Sequence, residues 1–111
     1  MAKDDFYVIA YRLLKYLYDC LKKGKQANME ALDADFFAIG DAYWEYIIRH
    51  LHTDGFIEGV TLVPALGKPE GAVKISPRIT ITPKGIQYLE ENSMFQKIKS
   101  AVKDIADILP I

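Results

Sequence analysis

The apolar positions between residues 6 and 23 recur at helical spacing. Phe6, Ile9, Leu13, Leu17 and Cys20 form one stripe, and Tyr7, Tyr11, Leu14, Tyr18 and Leu21 form a second beside it. So wide an apolar arc predicts a helix touching more than one neighbour, capped by Asp4 or Asp5 and ended by Gly24. Asn28 suits the cap of a short second helix from Met29 to about Asp33. Asp35–Ile39 fits either a helical turn or a short strand, with its aromatic residues in the core. A third helix is predicted from Asp41, as cap, to about Thr53, burying Trp44, Ile47, Ile48 and Leu51. Asp54-Gly55-Phe56 closes it, with Phe56 packing back on Leu51.

The period then changes. Phe56 to about Leu62 reads as a strand. Pro64, Gly67, Pro69 and Gly71 mark a loop of roughly ten residues, and Val73–Thr82 returns as a strand with Pro77 at a bulge or an edge. Ile79 and Ile81 alternate with Thr80 and Thr82, as in a half-buried strand. Thr82 caps a fourth helix over Pro83–Glu91, where Pro83 loses no hydrogen bond in the first turn. Ser93 and Gln96 form a capping box for a fifth helix at about 93–109, ended by Pro110. Its seam of Phe95, Ile98, Val102, Ile105 and Leu109 has heptad spacing and serves either internal packing on the first helix or a homodimer contact. The expected fold is α+β: one winged-helix domain over residues 1–111, with a helix-turn-helix core, a small antiparallel wing sheet of two or three strands and a C-terminal helix. Leu13, Leu17, Trp44, Ile47, Leu51, Phe56, Ile79, Ile81, Tyr88 and Leu89 should share its core.

The corner His50-Leu51-His52-Thr53-Asp54-Gly55-Phe56-Ile57-Glu58-Gly59-Val60, the junction Ile81-Thr82-Pro83-Lys84-Gly85-Ile86-Gln87-Tyr88-Leu89-Glu90-Glu91-Asn92 and the tail from Phe95-Gln96-Lys97-Ile98 onward carry a family likeness. Through them the chain resembles the YjcQ-like proteins, small winged-helix proteins of Gram-positive bacteria and their prophages. The resemblance spans nearly the whole chain. It implies the fold and a bacterial or phage setting, and brings no catalytic residues. The Thr-x-Lys-Gly-x-x-Tyr-Leu element within it is shared by many winged helices.

Composition sets further bounds. A chain of 111 residues, half of them hydrophobic, can build one core without disulfide or metal. Its single cysteine, Cys20, forms no internal disulfide and sits on an apolar stripe, as a small core residue would. The acidic start Met1-Ala2-Lys3-Asp4-Asp5 is unlike a signal peptide, and no apolar run reaches membrane-span length, so a cytoplasmic location and no membrane partner are expected. The net charge of −1 hides an uneven distribution. Residues 1–26 carry six Lys/Arg against three Asp/Glu. Residues 27–58 carry Arg49 alone against seven acids, and residues 59–111 carry seven bases against five acids. The acidic third is where a DNA-reading helix would lie.

No catalytic, cofactor or metal constellation emerges. His50 and Asp54 share a helix face, but a metal needs three or four ligands, and His52 lies about 200° around the helix from His50. Gly67-Lys68-Pro69-Glu70-Gly71 lacks the spacing and hydroxyl of a phosphate loop. The chain is therefore expected not to be an enzyme. A DNA-reading third helix would present Asp41, Ala42, Glu45, Tyr46, Arg49 and Thr53. Arg49 can contact guanine or phosphate, while Asp41 and Glu45 would be repelled. The wing offers Lys68, Lys74 and Arg78 to phosphates. Lys22, Lys23 and Lys25 complement the end of the first helix, or form a small anion-binding patch. Fold and resemblance favour a DNA-associated regulatory protein with weak wing contact. The charge map favours a protein-interaction module, using the acidic third helix or the C-terminal seam, without DNA binding.

Overall fold

The computed structural model describes residues 4–92. Helix α1 spans Phe6–Lys23, a single 3-10 turn covers Met29–Ala31, and α2 spans Asp41–Thr53. Strands β1 (Ile57–Ala65) and β2 (Lys68–Ile81) pair antiparallel, and α3 covers residues 83–92. The fold is α+β, and its order of helix, turn, helix, hairpin and helix suits a winged-helix-like arrangement. The expected fifth helix at 93–109 and its seam lie outside the described residues.

The core forms where α1 and α2 meet the base of the hairpin. Ile9, Leu13, Leu14 and Leu17 of α1 are buried with Trp44, Ile47, Ile48 and Leu51 of α2, and with Ile57, Ile79, Ile81 and Leu89. Of the expected core residues, Phe56 and Tyr88 are only partly buried; their rings pack on each other at 5.1 Å, against the core. The second stripe of α1 contributes Leu14, whereas Tyr7 and Leu21 are exposed. Cys20 is half-buried at the core margin rather than inside it.

Backbone geometry at the element ends refines the expected caps. Asp5 precedes α1 but makes no side-chain cap bond, and Gly24 ends the helix. Asn28 Oδ1 accepts from the Glu30 N–H at 3.0 Å, although the helix it starts is one 3-10 turn and stops short of Asp33. Residues 34–38 form a turn, in which Asp33 Oδ1 accepts from the Phe36 N–H at 2.7 Å. That turn splits the two phenylalanines: Phe37 is buried and stacks on Trp44 at 5.3 Å, while Phe36 is 56% exposed. Gly40, not Asp41, is the N-cap of α2; Asp41 stands in the first turn, where its charge complements the helix dipole.

The wing is a long ribbon closed at Leu66 and Gly67, not two short strands flanking a ten-residue loop. Pro64, Pro69 and Gly71, which read as loop signals, lie inside the strands. A two-stranded ribbon allows this because each strand has an unpaired edge, where a missing N–H costs nothing. β2 has 14 residues against the 9 of β1, and two irregularities absorb the surplus. Pro64 faces Pro69–Gly71, and Gly59 alone faces Ser76, Pro77, Arg78 and Ile79. The second irregularity is the bulge expected at Pro77. Gly59 has φ +91°, and a Cβ there would stand 2.6 Å from Ile79 Cα, so only glycine fits.

One corner joins α2, both strands and α3. The Phe56 N–H donates to Leu51 O at 2.9 Å as α2 ends, and the Thr82 N–H donates to Phe56 O at 3.0 Å. The Thr82 hydroxyl donates to Gly55 O at 2.5 Å and accepts from the Gly85 N–H at 3.1 Å, capping α3 as expected. A Cβ on Gly85 would lie 2.4 Å from Phe56 O and 2.6 Å from Ile81 Cγ1.

Two substitutions test this account by chemical denaturation. Leu51→Ala, at a fully packed site, should cost about 2–5 kcal/mol. Gly85→Ala should cost about 1–3 kcal/mol by forcing the corner apart, although alanine is the better helix former.

Candidate nucleic-acid interface and an aromatic cleft

The strand carrying Lys68, Lys74 and Arg78 spreads them along the wing instead of gathering them. Lys68 flanks the hairpin turn, paired with Ala65. Its ammonium lies 2.9 and 3.2 Å from the two carboxylate oxygens of Glu45 on α2. The wing tip therefore lies over the outward face of α2. Between them Asp41, Ala42, Tyr46, Arg49 and Glu70 line a shallow hollow. Arg49 is half-buried there, so the residue expected to read a base shares its surroundings with Asp41, Glu45 and Glu70.

Lys74 is exposed midway along β2, opposite Thr61. Arg78 is exposed in the bulge, where its N–H donates to Ser76 Oγ at 3.1 Å. Packing of α1 on β2 brings the bulge to the end of α1, and Arg78 lines a cleft of about 370 Å³ with Lys25, Gln26 and Thr80. Lys25 thus lines the same cleft as Arg78, although the two are remote in sequence. Lys22, by contrast, is engaged with Asp19 at 3.7 Å and lies over the Tyr18 ring. Among the described residues, Lys25, Lys74 and Arg78 take part in no salt bridge. The expected interface seam of Phe95, Ile98, Val102, Ile105 and Leu109 lies outside the described residues.

A larger cleft, of about 590 Å³, opens elsewhere, where no sequence motif pointed. Phe6, Tyr7 and Ala10 of α1, Tyr43, Tyr46 and His50 of α2, Asp54 and Phe56 of the corner and Tyr88 of α3 line it. Tyr7 and Tyr46 are 64% and 47% exposed, so its rim is aromatic and open. The Tyr43 hydroxyl donates to Asp4 O at 2.7 Å, tying the start of α1 to α2. Burial raises the Tyr43 phenol above its ordinary pKa, and the negative charges of Asp4 and Asp5 raise it further. The Tyr88 phenol is raised by burial and, secondarily, by Tyr7. His50 and Asp54 both reach the cleft, but the described residues hold no group of three or more His, Cys, Asp or Glu able to bind a metal. No described helix is long and apolar enough to cross a membrane.

Among known families, the chain matches the one described as YjcQ protein, over residues 11–108. No curated protein and no solved structure matches the chain.

The raised phenols make stability depend on alkaline pH. Each native pKa lies above the unfolded value of about 10, so the neutral phenol is favoured by folding. That contribution is fully present below about pH 10 and is lost as pH rises through the native pKa values. Thermal melts should therefore show wild-type stability falling above about pH 10 more steeply than that of the double variant Tyr43→Phe, Tyr88→Phe. At neutral pH Tyr43→Phe should cost about 1 kcal/mol through loss of the bond to Asp4 O.

Proposed function

The chain belongs to the YjcQ family, and from that premise we propose that it is a non-enzymatic, DNA-associated regulatory protein of a bacterium or its phage, contacting DNA weakly through the wing. The observation that carries the reading is the arrangement of cations on β2. Lys68 is held by Glu45, whereas Lys74 and Arg78 are exposed and outside any salt bridge among the described residues, and Arg78 shares a cleft with Lys25. Exposed cations along a projecting ribbon suit the phosphate backbone, which attracts them without regard to sequence. The outward face of α2 suits a major groove poorly. Asp41 and Glu45 would face phosphates, and the wing tip already lies over part of the helix.

A second reading, a protein-interaction module without DNA binding, draws on the same face of α2. Exposed Asp41 and Tyr46 beside Glu45 offer acid and aromatic surface to a basic partner.

The two readings part in a salt titration of duplex binding followed by fluorescence anisotropy. Two or three phosphate contacts should give a shallow log–log slope of about −2 to −3. Lys74→Glu with Arg78→Glu should abolish binding, and Arg49→Ala should change it little. A defined motif selected at nanomolar affinity and lost on Arg49→Ala would reinstate α2 as the reading element. No retention of DNA at low salt would leave the interaction module.

A further inference from the structure

The aromatic cleft lies beside the point where the described chain ends. Asn92, the last described residue, donates its side-chain amide to Tyr88 O at 2.8 Å, and Tyr88 lines the cleft. Phe95 follows three residues later, within about 10 Å of extended chain. It begins the apolar series Phe95, Ile98, Val102, Ile105 and Leu109, whose spacing of three and four gives a helix one apolar edge. Such an edge needs an apolar partner, and the cleft is a largely apolar surface that the described residues leave open. Charge agrees as well. Lys97, Lys99 and Lys103 precede the first acid of the tail, Asp104, while Asp54 lines the cleft. The charge of Asp4 also acts on Tyr43, which lines the cleft.

We propose that the cleft formed by Phe6, Tyr7, Tyr43, Tyr46 and Tyr88 is the docking groove for this chain's own C-terminal segment, which inserts Phe95, Ile98 and Val102 and places Lys97 or Lys99 near Asp54. The short connection from Asn92 favours the chain's own segment over any other occupant, because a tethered segment meets the groove at an effective concentration that a free partner does not match. Docking covers Tyr7 and Tyr46 and ties α1, α2 and the tail into one unit. It also uses the seam internally, leaving it unavailable for dimerisation.

Limited trypsin digestion of the full chain tests the assignment, read by mass spectrometry as the rates of cleavage after Lys97 and Lys99. Docking should make these sites slow in the wild type, at a rate independent of protein concentration. Ile98→Glu on the tail and, separately, Tyr46→Glu or Tyr7→Glu on the groove rim should each speed cleavage by about tenfold or more. Cleavage after Lys15, inside α1, should stay slow in every variant, which separates release of the tail from unfolding; Tyr7 and Tyr46 are exposed enough for the charge to be tolerated. Wild type cut as fast as Ile98→Glu would overturn the proposal and leave the groove to a foreign partner. Protection lost on dilution would overturn it in favour of a second copy. Acceleration by Ile98→Glu but by neither rim variant would place the tail elsewhere.

Discussion

The rest of the fold depends on the close approach of Gly85 to the carbonyl of Phe56. At that point the end of α2, the start of β1, the end of β2 and the start of α3 meet within a few residues. The approach allows the Thr82 hydroxyl to donate to Gly55 and accept from Gly85, so that one side chain both caps α3 and closes α2. It also brings the Thr82 N–H to Phe56 O, extending the pairing of Ile57 with Ile81 by one bond. Any larger side chain at residue 85 would push α3 off Ile81, and the burial of Leu89 would loosen with it.

With the corner fixed, the direction of the wing is fixed too. Ile57, Ile79 and Ile81 are buried at its base, so the ribbon leaves the core at a set angle and its tip reaches the outer face of α2. The Lys68–Glu45 pair is partly exposed and adds little stability. Its effect is electrostatic, since it consumes one wing cation and partly neutralises α2. At the other end, packing of α1 on β2 gathers Arg78 and Lys25 from distant parts of the sequence. Positive charge on the wing is thereby shifted from tip to base.

The sequence was legible where one local pattern had one outcome. The alternation of Ile79 and Ile81, the capping hydroxyl of Thr82 and the closing of α2 at Gly55 each depend on neighbouring residues alone. The wing was not, because Pro64, Pro69 and Gly71 signal a loop unless the strands are known to be edges with irregular pairing. Phe36 and Phe37 carried the same apolar signal, and only the turn held by Asp33 decided which was buried. Of the candidate site, residue identities were legible and groupings were not. The Lys68–Glu45 pair, and the cleft that Arg78 shares with Lys25, follow from tertiary packing. The aromatic cleft left one trace, an excess of tyrosines on faces of α1 and α2 that the core did not need.

The two irregularities in the wing have another effect. A two-stranded ribbon exposes a row of unpaired N–H and C=O groups on each side, and such rows template stacking of one molecule on the next into fibrils. Here Pro64, Pro69 and Pro77 remove donors from both strands, and the surplus residues of β2 interrupt the regular spacing of those that remain. A second molecule laid along either side would find its hydrogen-bonding groups out of step after a few residues. The residues that disguise the wing as a loop in the sequence thus also keep a long ribbon from polymerising.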